Sequence, residues 1–272
     1  MQVFGVSRGD GPIVLGQPHG GTQVPDGIAA RLNENGHGLA DTDWHINRLY
    51  QGLLDDATVV QSHIHRYVID ANRDPSGVSL YPGQNTTTLV PLTDFDGTSI
   101  WAEGQEPPED EIEDRRVKYH APYHAALEQE LDRVRAKHGV AILFDCHSIR
   151  SLIPFLFEGE LPIFNTGTNI GATCHPAIEQ AVHGVAAGAA GFTSVLNGRF
   201  KGGWTTRHYG RPTEGRHAIQ MEIAQRAYMD ETPPWNWRED RAATLRPHLK
   251  AMLDRLRDLA LSGALTEKGA LQ

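Results

Sequence analysis

The sequence predicts an α/β fold, a mostly parallel or mixed sheet flanked by helices, in a single domain spanning residues 1–272. Three observations predict it. Short apolar runs at residues 12–16 (PIVLG) and 139–144 (GVAILF) have the length and composition of buried strands. Longer segments with apolar residues at helical spacing lie between such runs. Hydrophobic residues make up 39% of the 272, enough for a sizeable core.

In chain order, the strand at 12–16 stops at the turn QPHGGT. Residues 41–55 read as a helix with Ile46, Leu49, Tyr50 and Leu53 on its apolar face and Asp41, Thr42 and Asp43 in its cap and first turn. Residues 57–64 and 66–71 are strand candidates. From about 75 to 108 the chain is rich in Gly, Pro, Thr and Asp, an irregular loop of a length that points to a lid or to partial disorder. Residues 109–137 form a long helical pattern interrupted at Pro122. The buried strand at 139–144 ends in Asp145-Cys146-His147-Ser148. There follow a short strand at 161–165, a small-residue helix at 176–190, a basic Gly-rich loop at 197–212, a strand at 217–223 and an amphipathic helix at 240–259.

Charge and cysteine content exclude several classes. A formal net charge of -9 gives no overall attraction to nucleic acid or to acidic membranes, so a small anionic substrate would need local Arg or Lys side chains. Two cysteines, Cys146 and Cys174, make neither a disulfide scaffold nor a Cys-rich zinc module. The first 16 residues lack the pattern of a signal peptide, and no apolar run approaches the ~20 residues of a membrane span, so the expected location is the cytoplasm.

Ligands of open α/β sheets bind beyond the carboxyl ends of the strands, which gives weight to polar residues placed there. His19 follows the first strand and His147 follows the strand ending at Phe144. Asp43, three residues before Ile46 on the helical stripe, is expected to face the sheet. Two histidines and a carboxylate without cysteine are the ligand set of a catalytic zinc site with an open position. For each residue alone, hydrogen-bonded structure is the commoner role. Alternation in HAIQMEI puts Gln220 and Glu222 on one face, where a carboxylate on an otherwise apolar strand is costly unless paired, for example with Arg226, or used. Alternation also turns Cys146 away from the face of His147. In RYVIDANRD, two arginines and an amide could clamp a carboxylate, although an exposed charged strand end is the commoner reading.

Six segments carry a resemblance along nearly the whole chain: PHGGTQVP, DTDWHINRLY, RYVIDANRDPSG, LFDCHS, NGRFKGGWTTRHYGRP and HAIQMEIAQRAYMDE. They resemble the N-formylglutamate amidohydrolase family, which more often reads His-Ser-Gly, Asp-Leu-Asn-Arg and Asp-Leu-His-Ser where this chain has His-Gly-Gly, Asp-Ala-Asn-Arg and Asp-Cys-His-Ser. The Arg-Tyr…Asn-Arg block is also similar to that of zinc carboxypeptidases and aspartoacylases. The resemblance implies a zinc exopeptidase-like fold and Zn²⁺-dependent hydrolysis of N-formyl-L-glutamate to formate and glutamate, at the end of histidine degradation. It implies His19 and His147 as ligands, Glu222 as general base, Arg66 as polariser of the scissile carbonyl, and Asn72 with Arg73 as the grip on a substrate carboxylate. Lys201 and Arg207 of the basic loop are expected to assist that grip. Those zinc relatives place a Glu three residues after the first His, where this chain has Thr22, so Asp43 is the expected acidic ligand, with His45 and Asp41 as rivals. Another N-acyl amino acid as substrate, or a non-catalytic binding protein of the same fold, are the alternatives.

Overall fold

A computed structural model describes residues 1–80 and 83–265. Among these, seven strands form one sheet: β1 (Phe4–Ser7), β2 (Ile13–Gln17), β3 (Thr58–Ser62), β4 (Ala141–Ile149), β5 (Phe164–Gly167), β6 (Ser194–Leu196) and β7 (Arg216–Ala224). Their order is β1-β3-β2-β4-β7-β5-β6. The central strands β3, β2, β4 and β7 run parallel, whereas β1 is antiparallel to β3 and β5 to β7. This is the mixed α/β sheet the sequence predicts.

The helices are α1 (Asp26–Ala29), α2 (Glu34–His37), α3 (Ile46–Tyr50), α4 (Glu109–Arg115), α5 (Ala121–His138), α6 (Pro176–Gly188), α7 (Trp204–Tyr209) and α8 (Glu239–Leu261). They cover both faces of the sheet, and strand alternation decides what each face carries. Ile142, Phe144 and Cys146 of β4 and Ile219, Met221 and Ile223 of β7 pack with Leu49 of α3, Val182 of α6 and Leu249 and Leu253 of α8. The opposite face puts Val14, Leu143 and Ala218 against Tyr123, Leu127 and Leu131 of α5. Each large side chain buried there contributes about 1.5–3 kcal/mol. Further along this second face the same parity gives Asp145 and His147 on β4, and Gln220 and Glu222 on β7. The core thus ends where the polar residues begin.

Several expected boundaries move. The helix expected over 41–55 is only α3, because His45 has φ 61°, a left-handed conformation that cannot be continued backward as a helix. Residues 66–71 form turns, not a strand. Arg66, Tyr67, Val68, Ile69 and Asp70 are all buried, so this block has no exposed face to alternate with. The interruption at Pro122 is absorbed by a π-helical turn, Arg116–His120, just before it. A wider turn accommodates the missing N–H of proline without ending the helix. The loop expected over 197–212 contains α7, and the short strand expected at 161–165 lies instead at β5.

The described part of 75–108 has only isolated bridges, yet it is packed. Leu89, Val90, Ile100 and Trp101 join Ile28, Leu32, Tyr67 and Val68 in a third cluster. No described helix is long and apolar enough to cross a membrane.

Candidate active site

The carboxyl ends of β2, β4 and β7 meet at one point. β2 leads into the turn holding His19, whose backbone carbonyl accepts from Asp43 N–H at 3.1 Å. A Cβ on Gly21 would lie 2.3 Å from the His63 carbonyl carbon, so this turn fits beside the end of β3 only with glycine. His147 on β4 has Glu222 on β7 as its cross-strand neighbour.

His19, Asp43 and His147 are all buried, and one ligand atom from each lies within 4.8 Å of the others. Asp43 Oδ2 is 3.9 Å from His19 Nδ1 and 3.4 Å from His147 Nδ1. Tetrahedral zinc with bonds near 2.05 Å spaces its ligands by about 3.3 Å, so a small contraction would close this set. His19 Nδ1 is buried without a hydrogen-bond partner, which is the arrangement expected of a nitrogen kept for a metal. Its other nitrogen, Nε2, is 2.7 Å from Asp70 Oδ1. His147 Nε2 lies 3.1 Å from Asp145 Oδ1. Carboxylates on the far nitrogens are the partners that orient metal-binding imidazoles. Two imidazoles and a carboxylate suit a borderline divalent cation such as zinc.

The charges around the triad are large. Against the burial that opposes it, Asp145 and Asp43 hold His147 well above the usual imidazole range. Burial and the Arg66 charge lower His19. Burial would raise Asp43 and Asp70, but Arg66 lowers Asp43, and Arg73 and His19 hold Asp70 far below the carboxylate range.

The rival ligands point elsewhere. Asp41 accepts from Tyr67 Oη and Phe95 N–H, each at 2.9 Å. His45 Nε2 is 2.7 Å from the Trp235 carbonyl. Arg66 donates from Nη2 to Asp43 Oδ1 at 2.5 Å and lines the cavity over the triad.

Glu222 lines the same cavity and is pushed up to about 8 by burial. Gln220 Nε2 donates to Glu222 Oε2 at 3.1 Å, and Gln220 Oε1 accepts from Gly203 N–H at 2.7 Å. Arg226 pairs with Glu160 at 3.3 Å. Cys146 packs in the apolar core on the other face of β4, as alternation requires.

Asn72 sits between the triad and the basic loop. Its Nδ2 is 3.2 Å from His147 Nε2, and its Oδ1 accepts from Thr205 N–H at 2.8 Å. A Cβ on Gly203 would fall 2.3 Å from Asn72 Nδ2. Arg73 lines the cavity and donates to the Thr87 carbonyl and Oγ1, each at 2.9 Å. Lys201 and Arg207 are not among the described lining residues; Arg207 donates to the Gly202 carbonyl. The cation that the loop brings to the cavity is Arg199.

Sequence reasoning passed over Asp70, Asp145 and Arg199. Asp145 was findable, since it shares parity with His147 on one strand, and Asp70 stands inside the Arg-Tyr…Asn-Arg block.

The profile of the N-formylglutamate amidohydrolase family matches residues 11–229. A protein named N-formylglutamate deformylase from Pseudomonas aeruginosa is 44% identical over 260 residues, covering 94% of this chain and 96% of its own. One of the same name from Pseudomonas putida is 44% identical over 256 residues, with the same coverage of 94% and 96%. Among solved structures, an N-formylglutamate amidohydrolase from Ralstonia eutropha superposes with a TM-score of 0.80 at 23% identity, covering 97% of this chain and 100% of that one. A gene product of Agrobacterium tumefaciens does so with a TM-score of 0.71 at 19% identity, covering 95% and 96%. At those identities the two structures bear on the fold alone.

Proposed function

Because the chain belongs to the N-formylglutamate amidohydrolase family, we propose that it hydrolyses N-formyl-L-glutamate to formate and L-glutamate, using a zinc ion held by His19, Asp43 and His147. The observation that carries this reading most is the buried triad with Glu222 on the neighbouring strand of the same cavity. The names of the two Pseudomonas relatives support the substrate. A cytoplasmic enzyme at the end of histidine degradation is the setting we propose.

Zinc held by this triad would supply Lewis acidity for the formyl carbonyl and would make water a nucleophile at neutral pH. Glu222 accepts the proton of the attacking water on its carboxylate and returns it to the leaving amine. A cation at the triad would offset the burial that raises Glu222 to about 8, and so favour the carboxylate form that accepts the proton. Arg66 donates to the oxygen that becomes negative as the formyl carbon turns tetrahedral. Its guanidinium is already oriented by Asp43, so little reorganisation accompanies the reaction. Asn72 and Arg73 hold the α-carboxylate of the substrate. Phe95, Leu156 and Phe200 supply apolar lining that limits water around the reacting bond.

The test is elemental analysis of the purified protein together with a panel of N-formyl and N-acetyl amino acids. We expect one zinc per chain and fastest turnover of N-formyl-L-glutamate. Faster hydrolysis of an N-acetyl compound, or full activity in a metal-stripped sample, would overturn the proposal.

A further inference from the structure

Two histidines flank Pro122 and take no part in the chemistry above. His120 closes the π-helical turn before α5, and His124 follows it inside α5. Both are buried, and neither is among the described residues that line the cavity. They stand one layer behind it. His124 Nε2 lies 2.7 Å from the Ala71 carbonyl, and His120 Nε2 lies 3.2 Å from the Arg73 carbonyl. A carbonyl oxygen only accepts, so each ring carries its proton on Nε2 and donates. His124 Nδ1 is left as the acceptor that faces the Tyr209 hydroxyl at 3.1 Å. Burial lowers the pKa of both rings, His124 well below the usual imidazole range, which keeps each neutral with one N–H.

The spacing carries the argument further. Helical positions four apart share a face and are offset by about 6 Å along the axis. The two rings lie on such a face with their centres 4.3 Å apart. Residues two apart in a chain are separated by at most about 7 Å, so two donors at this helical spacing suit the two carbonyls on either side of Asn72. The donors project from a fixed support, since Tyr123, Leu127 and Leu131 anchor α5 in the core against the sheet. Asn72 is held from its other side by α7, through the bond from Thr205 N–H to its Oδ1. Trp204 of α7 packs edge-on against His124 with ring centres 4.7 Å apart, which joins the two holds. The Arg73 side chain is fixed separately, by Thr87 and by the Asp70 carboxylate at 3.8 Å.

We propose that His124, with His120 beside it, is a positioning residue that donates to the backbone on either side of Asn72 and so holds the Asn72–Arg73 pair where it meets the substrate carboxylate. The inference rests on the carboxylate-binding role given to that pair in the deformylase reading. It assigns to α5, which contributes no described residue to the cavity, the placing of one wall of it.

The test uses His124→Leu, which removes the donor and keeps an apolar side chain in the core, and His124→Gln, whose amide N–H can reach the place of Nε2. The zinc-loaded proteins are compared in hydrolysis of N-formyl-L-glutamate and in calorimetric binding of L-glutamate, with zinc content and a thermal melt on the same samples. We expect His124→Leu to raise KM and the Kd of L-glutamate by about 10–100-fold, with kcat within about threefold and zinc unchanged. His124→Gln should recover most of that loss. His120→Leu, which removes the longer bond, should shift both constants the same way by a smaller factor, and it decides the matter if His124→Leu does not fold. A residue that only stabilised the fold would lower the melt and leave KM and Kd at wild-type values. That result, or a Gln variant as impaired as the Leu variant, would overturn the proposal. If the wild type does not cleave the formyl compound, the deformylase reading fails and the binding data decide on His124. An affinity for L-glutamate that the Leu variant loses and the Gln variant restores supports its role; equal affinities, or no binding by the wild type, refute it.

Discussion

Replacing Glu222 with glutamine separates proton acceptance from shape. Gln220 donates to Glu222 Oε2 at 3.1 Å, and the amide oxygen of a glutamine can accept the same bond. The residue is 7% exposed and its charged form is disfavoured by burial, so neutralising it removes a cost from the fold. The ligand triad does not include it. Loss of a general base costs about 10²–10⁴-fold in rate, equivalent to about 3–5.5 kcal/mol of barrier. Formate release from N-formyl-L-glutamate should therefore show kcat falling through that range in Glu222→Gln. KM should stay within about threefold and zinc content at the wild-type level. Elemental analysis and a thermal melt on the same sample exclude the two trivial causes. An unchanged kcat would falsify the base assignment, and loss of zinc would recast Glu222 as a ligand.

Further outcomes follow from the same geometry. His19→Ala should lose zinc and nearly all activity, and its metal-stripped form should melt below stripped wild type because buried Asp70 loses its partner; full zinc occupancy would place the metal elsewhere. Gly203→Ala puts a methyl 2.3 Å from Asn72 Nδ2, so Asn72 must move. Its kcat/KM should drop by about 10²-fold, with a circular dichroism spectrum like that of wild type. Wild-type turnover would refute the contact. In the metal-stripped protein, Glu222 has a folded-state pKa raised from 4.5 to about 8. The stability this provides is complete below about pH 4.5 and is lost as pH rises through 8. Stripped Glu222→Gln should therefore lose less melting temperature than stripped wild type between pH 5 and 9. Asp41, raised to about 7 by burial, contributes to the slope in both proteins and cancels in the comparison. Parallel slopes would show that Glu222 ionises in the fold at no unusual cost.

The fold was legible where periodicity is strong and context weak. β4 and β7 are buried along their length, and their alternation alone placed Cys146 in the core and His147 and Glu222 on the other face. The short edge strands β1 and β6, of four and three residues, carry too few positions for any period to register. Asp43 is a more instructive case. A helical stripe pointed to it, yet α3 begins only at Ile46, and what aims Asp43 at the histidines is its backbone bond to His19 and the Arg66 bond to its carboxylate. Those are contacts between distant segments, invisible to a periodicity argument that nonetheless reached the same residue.

The basic loop is the opposite case. Composition marks 197–212 as rich in cations, but composition cannot say which of them turns inward. Gly202, at φ 108°, and α7 behind it redirect the chain between Arg199 and Arg207. Gly203 then presses its backbone against Asn72, which leaves no room for a side chain there. Arg199 enters the cavity ahead of that bend, while Arg207 lies on α7 and bonds back to the Gly202 carbonyl. The glycines that made the segment look like a plain loop are the residues that sort its cations. Adding a side chain at Gly203 should therefore displace Asn72 and break the bond that its Oδ1 accepts from Thr205 N–H at the start of α7. Thr205→Ala keeps that backbone bond, so it should leave the rate close to wild type where Gly203→Ala lowers it; an equal loss in both would show that the rate depends on α7 and not on the placing of Asn72.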